Sequence, residues 1–217
     1  MTQDMIFQNG EGDRWYERNK EKLTPKDDFV CRMIENLGVQ PHRIVEVGCS
    51  NGYRLEYLRK KYHAVCYGYD ISCEAIEAGH ESFPKIHLEQ KALHEISSDE
   101  TFDLVICNFV LHWVDRSRLI QSMGGIDALV HVGGTLVLGD FNPDYQQKRK
   151  YHHLPNEDVY TYKQDYAAFF KATGLYREIA FFTYNHDEHI LGYASSEMRA
   201  ICTAMRKMEK EEYYILV

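Results

Sequence analysis

Apolar positions along the chain gather into short blocks at 43–47, 65–70, 86–90, 103–108 and 134–140, separated by stretches with helical spacing. Short apolar runs bounded by turn residues read as buried strands. The amphipathic stretches near 52–61, 73–82, 114–123 and 123–131 read as the helices that connect them. Two further helices, over 12–22 and 26–37, precede this repeat, the second ending near Gly38. A polar loop follows the fifth strand. Beyond it Lys163–Ala172 reads as a helix capped by Gly174, Arg177–Tyr184 as a sixth strand, Ser195–Lys210 as a helix and Tyr213–Val217 as a final apolar strand. Alternation of this kind predicts an α/β fold, a doubly wound and mostly parallel sheet of about seven strands with helices on both faces.

Composition narrows the class. A chain of 217 residues with 44% hydrophobic content can bury an ordinary core, and one domain over 1–217 is expected. There is no run of 18 apolar residues and no apolar segment after a basic start, so a cytoplasmic protein without membrane contact is expected. Six cysteines, at 31, 49, 66, 73, 107 and 202, form no C-x-x-C pair. That pattern speaks against a disulfide framework or a zinc site, and no metal is expected. The formal charge of −8, from 25 basic and 33 acidic residues, repels polyanions, and no dense basic patch overrides it. Nucleic acid is therefore not an expected partner. A small-molecule substrate is, on a monomer or homodimer.

The richest segment is Ile44-Val45-Glu46-Val47-Gly48-Cys49-Ser50-Asn51-Gly52, with Asp70 following at the end of the next apolar strand. The glycines permit a tight turn and close approach of a ligand to the backbone. Tyr53–Lys61 then reads as a helix whose first amides point at the turn, and Asp70 is placed to accept hydrogen bonds from two ribose hydroxyls. A dinucleotide fingerprint needs glycines at offsets 0, 2 and 5 from Gly48, where Ser50 and Tyr53 take the last two positions, so a pyrophosphate ligand fits poorly.

The segment does resemble motif I of the class I S-adenosylmethionine-dependent methyltransferases, matched at Glu46, Gly48 and Gly52 with Ser50 in the place of the middle glycine. Phe102–Asn108 is similar to that family's fourth-strand motif, Phe109–Val114 to the segment after it, and Leu129–Phe141 with Gly133-Gly134 to its fifth-strand region. The resemblance implies a Rossmann-like sheet whose last strand, here Tyr213–Val217, runs antiparallel beside the fifth. It also implies S-adenosyl-L-methionine as cofactor and S-adenosyl-L-homocysteine as product. The implied contacts are Glu46, Gly48, Cys49, Ser50, Gly52, Asp70, Ile71, Asn108 and Phe109. Where the family often has an acid against the adenine amino group, this chain has Lys91, and Ala92 and Leu93 remain to bracket the ring.

Two segments outside this core are expected to select the acceptor. Residues 1–40 form an amino-terminal helical lid carrying Trp15, Tyr16 and Arg18, whose aromatic faces suit a sulfonium. Residues 141–163 form a substrate loop at the carboxyl edge of the sheet, with Tyr151, His152, His153, Tyr162 and Lys163. Phenols, imidazoles and an ammonium suit a polar or anionic ligand. The paired histidines lack a third ligand at fixed spacing, which argues against metal. His112 or His153 is the candidate general base for a hydroxyl acceptor. The chain also resembles small bacterial methyltransferases of surface-glycan and modified-sugar pathways. The residues behind this are the Gly10-Glu11-Gly12-Asp13-Arg14-Trp15 start, Asn51-Gly52-Tyr53-Arg54-Leu55, and the His152-His153 and Tyr162-Lys163 pairs. It implies a sugar or phosphorylated precursor methylated at oxygen. A natural-product O- or N-methyltransferase, or a non-catalytic cofactor-binding subunit, would share the same core motifs.

Overall fold

A computed structural model describes residues 2–97 and 99–209. Five parallel strands, β1 (Arg43–Val47), β2 (Val65–Asp70), β3 (His87–Gln90), β4 (Phe102–Asn108) and β5 (Val130–Phe141), lie in the order β3-β2-β1-β4-β5. The sheet continues through β10 (Arg199–Lys207), β8 (Tyr176–Asn185) and the two-residue β9 (Ile190–Leu191), each antiparallel to its predecessor. Strand order reverses at β1, so the carboxyl ends of β1 and β4 open a crevice where ligands of such sheets bind.

Alternate residues of the central strands feed two cores. Ile44, Ile106 and Val137 pack with α3 (Phe29–Asn36), α4 (Tyr53–Tyr62) and α5 (Cys73–Ser82) through Ile34, Leu55 and Ile76. Val45, Val105 and Leu136 face the other side, against Met123 and Ile126 of α6 (Leu119–Leu129) and Phe170 of α7 (Ala167–Ala172). Nearly continuous apolar character in β4 follows from burial on both faces.

The structure corrects several expectations. Residues 195–210 were expected as a helix, because Ala, Met, Lys and Glu favour one. The described part instead forms β10, in which Ala200, Cys202 and Ala204 face one core while Met205 faces the other. Small side chains on one face let α3 pack closely, and this tertiary demand outweighs helix propensity. The antiparallel strand beside the fifth is therefore Arg199–Lys207, and Tyr213–Val217 lies outside the described residues. The 141–163 loop contains a hairpin, β6 (Gln147–Lys150) against β7 (Tyr160–Lys163), and α7 starts at Ala167 rather than Lys163. One helix, α6, replaces the two expected over 114–131. The amino-terminal helix is α2 (Gly12–Asn19), preceded by α1 (Gln3–Ile6) and a bent turn in which Gly10 has φ +120°.

Glu46 points to the α4 side of β1, fully buried, and its Oε1 is paired with Arg54. Arg54 also donates through Nε to Oδ2 of Asp28 at 2.8 Å and through Nη2 to the Tyr53 hydroxyl at 2.9 Å. Asp28 caps α3 by accepting from the Cys31 amide. Burial pushes Glu46 up to about 7, against the pull of Arg54. At Asp28 burial acts in the same sense but is outweighed by the Arg54 charge and the Cys31 amide, so its carboxyl lies below 3.8.

Arg54→Met removes the one guanidinium from this cluster. The expected loss is roughly 3–5 kcal/mol of unfolding free energy, measured by denaturant titration at neutral pH. The Asp28 contribution is complete above its unfolded value of 3.8 and is lost as pH falls through the lower folded value. Asp28→Asn preserves a good helix cap while removing the charge, so acid titration of this variant should show a shallower loss of stability below that pH.

Candidate active site

The turn after β1 is tight and borders the cavity through Gly48 and Ser50. Gly48 has φ +73° and Ser50 φ +51°, and a Cβ on Gly48 would collide with the side chain of Val110. The amides of Gly48 and Cys49 both donate to the Tyr69 carbonyl, at 2.7 and 3.1 Å. Asp70 clasps the turn from β2. Its Oδ2 accepts from the Ser50 amide at 2.7 Å and its Oδ1 from the Ser72 amide at 2.9 Å. Burial raises the Asp70 carboxyl, with the amides acting against it. A carboxylate offers about four lone-pair positions, so capacity to accept remains beyond these amides.

Across the crevice, β4 ends in Asn108 and Phe109. Phe109 holds φ +56°, and its amide donates to the Gly139 carbonyl at 2.8 Å. An aromatic residue in that region is strained and is kept there by its surroundings. The Asn108 Oδ1 is buried without a hydrogen-bond partner and lies against Gly139.

These elements border one cavity of about 800 Å³. Of the expected cofactor contacts, Gly48, Ser50, Asp70, Ile71, Ala92, Leu93, Asn108 and Phe109 line it. Glu46, Cys49 and Gly52 do not line it. Glu46 lies beneath the turn with Arg54, Cys49 is 1% exposed in the core, and Gly52 starts α4 with φ +78°.

His112 follows β4 and lines the cavity while being only 2% exposed. Its Nδ1 lies 2.9 Å from Oδ1 of Asp140 at the end of β5, and its amide donates to Oδ2 of the same residue. With Nδ1 taken by the carboxylate, Nε2 is the nitrogen available to a ligand.

Four aromatic side chains form the opposite wall. Phe7 stacks on Trp113 at 5.4 Å, Trp15 meets Trp113 edge-on at 6.2 Å, and Tyr151 approaches both Phe7 and Trp113. Gln3 fixes α1 here by donating to the carbonyls of Trp113 and Tyr160. Tyr151 also donates to Glu11 at 2.9 Å and accepts from Arg18 at 3.0 Å. Trp15, Tyr151, His152, His153 and Lys163 all line the cavity, whereas Tyr16, Arg18 and Tyr162 do not. Tyr16 is buried, Arg18 supports Tyr151 from behind, and the Tyr162 ring is covered by the Arg116 guanidinium 4.4 Å from its centroid.

The far rim carries cations and imidazoles. Lys163 Nζ lies 3.8 Å over the Phe141 ring and donates to the Glu197 carbonyl. Burial, then the nearby Arg149, holds its ammonium below 10.5. Burial, reinforced by Arg18, likewise holds His153 below 6.5. His186 lies between the rings of Phe109 and Phe141, at 4.8 and 4.9 Å, and is also held below 6.5 by burial although Asp187 acts against this.

Sequence reasoning missed Asp140 as the partner of His112, and it missed His186, Phe7, Trp113 and Asp4 in the cavity wall. Asp140 was legible as an acid at the carboxyl end of the fifth strand. His186 follows a strand running the same way as β5, an edge where site residues collect. Nothing in the sequence signals Asp4 or Phe7, which reach the cavity through the fold of the amino terminus.

Comparison with known proteins agrees with this architecture. Over 113 residues the chain is 24% identical to the malonyl-[acyl-carrier protein] O-methyltransferase of Halalkalibacterium halodurans, a match spanning 48% of this chain and 41% of that protein. It shares its fold with the N-methyltransferase NodS of Bradyrhizobium japonicum, crystallised with S-adenosyl-L-homocysteine (TM-score 0.60, 16% identity, 89% of this chain and 98% of that one). It also shares the fold of the 1,6-didemethyltoxoflavin-N1-methyltransferase of Burkholderia thailandensis (TM-score 0.64, 11% identity, 83% of this chain and 76% of that one). A family profile described as a methyltransferase domain matches residues 16–184, well over half of the chain, and the protein therefore belongs to that methyltransferase family.

Proposed function

We propose that this protein transfers a methyl group from S-adenosyl-L-methionine to a hydroxyl of a polar or anionic small molecule, a sugar or phosphorylated precursor, with His112 as general base. The carrying observation is the His112–Asp140 pair, almost sealed from solvent, on the same cavity as the Asp70 turn. The residues present fit the cofactor. Asp70 stands at the turn with carboxylate oxygens that can accept from ribose hydroxyls, and the backbone of Gly48 and Ser50 borders the cavity beside it. When bound, the cofactor supplies an electrophilic methyl group on a sulfonium.

The chain's own part is to hold the acceptor in line behind that carbon, exclude water and remove a proton. His112 Nε2 takes the hydroxyl proton, while Asp140 fixes the ring through Nδ1 and stabilises the imidazolium that results. The Phe7, Trp15, Trp113 and Tyr151 wall covers the cavity and offers flat apolar faces to one side of a sugar ring. Lys163, Arg149 and the imidazoles of His152 and His153 offer donors to a phosphate or carboxylate. The aromatic wall also favours a second reading, an aromatic or heterocyclic natural product methylated at oxygen or nitrogen.

Calorimetric titration with S-adenosyl-L-homocysteine should give micromolar binding, and reduced nicotinamide dinucleotide none. Asp70→Ala should weaken that binding by about 1.5–3 kcal/mol for each charge-assisted hydrogen bond removed. Unchanged affinity would take Asp70 out of the site. Turnover is then assayed by homocysteine release against sugar phosphates, nucleotide sugars and hydroxylated heterocycles. On the preferred acceptor, His112→Gln should lower kcat by roughly 100- to 10,000-fold with cofactor affinity intact. Turnover of heterocycles alone would decide for the second reading, and cofactor binding with no turnover of any class would favour a non-catalytic subunit.

A further inference from the structure

Among the described residues two lysine or arginine side chains are buried, Arg54 at 5% exposure and Lys163 at 8%. Arg54 is matched by the carboxylates of Glu46 and Asp28. Lys163 is matched by none, because the carboxylates near it are committed elsewhere. Asp140 takes His112 and Asp187 takes His186. Glu197 takes Arg149 with its side chain and offers Lys163 only its backbone carbonyl, at 3.0 Å. Otherwise the ammonium meets the face of the Phe141 ring, 3.8 Å from Nζ to the centroid. An ammonium carries three donors and a full charge, and in a buried place one carbonyl and one ring face do not replace the water it has lost.

Its location says what the missing partner is. Lys163, Phe141 and His112 all line the cavity. Nζ and the His112 imidazole border the same phenyl ring, the imidazole with its centroid 5.1 Å from that of Phe141. A single side chain therefore stands between the unmatched charge and the base. Arg149 lines the cavity too, but it is paired with Glu197, donates to Gln147 Oε1 at 3.0 Å and has a side chain 40% exposed, so water and protein already satisfy it.

We propose that the Lys163 ammonium determines acceptor specificity by binding an oxyanion, a carboxylate or phosphate, that lies within a few bonds of the hydroxyl facing His112. The acceptor class that fits is a small hydroxy acid, or a phosphate ester with its hydroxyl close to the phosphate. A nucleotide sugar, whose charge is remote from most of its sugar hydroxyls, does not serve both groups at once. The inference rests on the proposed transfer to a hydroxyl of an anionic molecule and narrows that class by the spacing of anion and hydroxyl.

The test needs neither cofactor nor turnover. Thermal unfolding of the protein near neutral pH is followed in chloride and in inorganic phosphate at equal ionic strength, with glycerate and uncharged glycerol as further probes at millimolar concentration. Phosphate and glycerate should raise the midpoint of the native protein, and glycerol should not. Lys163→Met keeps an unbranched side chain without the charge. It should lose the anion-dependent rise and, without anions, melt a few degrees above the native protein, because a desolvated charge has been removed. By calorimetry its affinity for phosphate should fall at least about tenfold, and that of Arg149→Gln by less. An equal anion response in native protein and Lys163→Met overturns the proposal. A lower midpoint of the anion-free variant also overturns it, since the lysine would then be held for packing alone. Titration with S-adenosyl-L-homocysteine reports separately on the cofactor: binding of it without an anion response overturns only the oxyanion site, and the reverse result overturns only the methyl-transfer reading.

Discussion

Everything at the crevice rests on the Arg54 guanidinium. It sits below the β1 turn and joins the strand through Glu46, the cap of α3 through Asp28 and the first turn of its own helix through Tyr53. A buried cation requires such partners, since neither it nor the carboxylates could stay charged alone in that interior. Two acids to one base leaves the cluster short of positive charge, which is why burial prevails at Glu46 and one of its oxygens goes without a hydrogen bond. The backbone of the turn is thus supported by ionic contacts on its buried side.

Much of this was legible in the sequence where local and global demands coincide. The central strands β1 and β4 announce themselves because both of their faces are largely buried and their residues are mostly apolar. The glycine turn was visible because the positive φ at Gly48 and Gly52 restricts residue type, and Asp70 because it is an acid at the end of an apolar strand. Glu46 lies off the cavity wall for a reason the sequence does not show. An acid inside an apolar strand signals a constrained carboxylate, but not which side of the turn it serves, and the pairing partner eight residues on in α4 decides that. β10 was illegible because a strand buried on both faces next to a close-packed helix needs small residues, and small residues with Met and Lys also read as helix.

The substrate side was the least legible because it is assembled from segments far apart in the chain. The wall joins Phe7 and Trp15 from the amino terminus, Trp113 from after β4 and Tyr151 from the β6–β7 hairpin. Each contributes one ring, so no stretch shows an aromatic motif. The hairpin was read as a loop because its strands are short and rich in lysine and arginine, as suits an edge exposed to water. Successive positions of β7 then divide by face. Tyr162 turns to Arg116, and the neighbouring Lys163 turns in towards Phe141.

On the reading proposed above, His112 serves packing and chemistry in one environment. Its ring contacts Phe109, Trp113 and Phe141, which excludes water, and the Asp140 carboxylate meets the only polar need of its buried nitrogen. A histidine placed solely for packing would gain nothing from a buried carboxylate, whose own desolvation is unfavourable. The pair is explicable when the ring must carry charge for part of a cycle, because the carboxylate then stabilises a cation that the surrounding aromatics could not. The strained Phe109 fits the same account, since its left-handed backbone turns the chain sharply at the end of β4 and brings His112 back beside Asp140 on the adjoining strand.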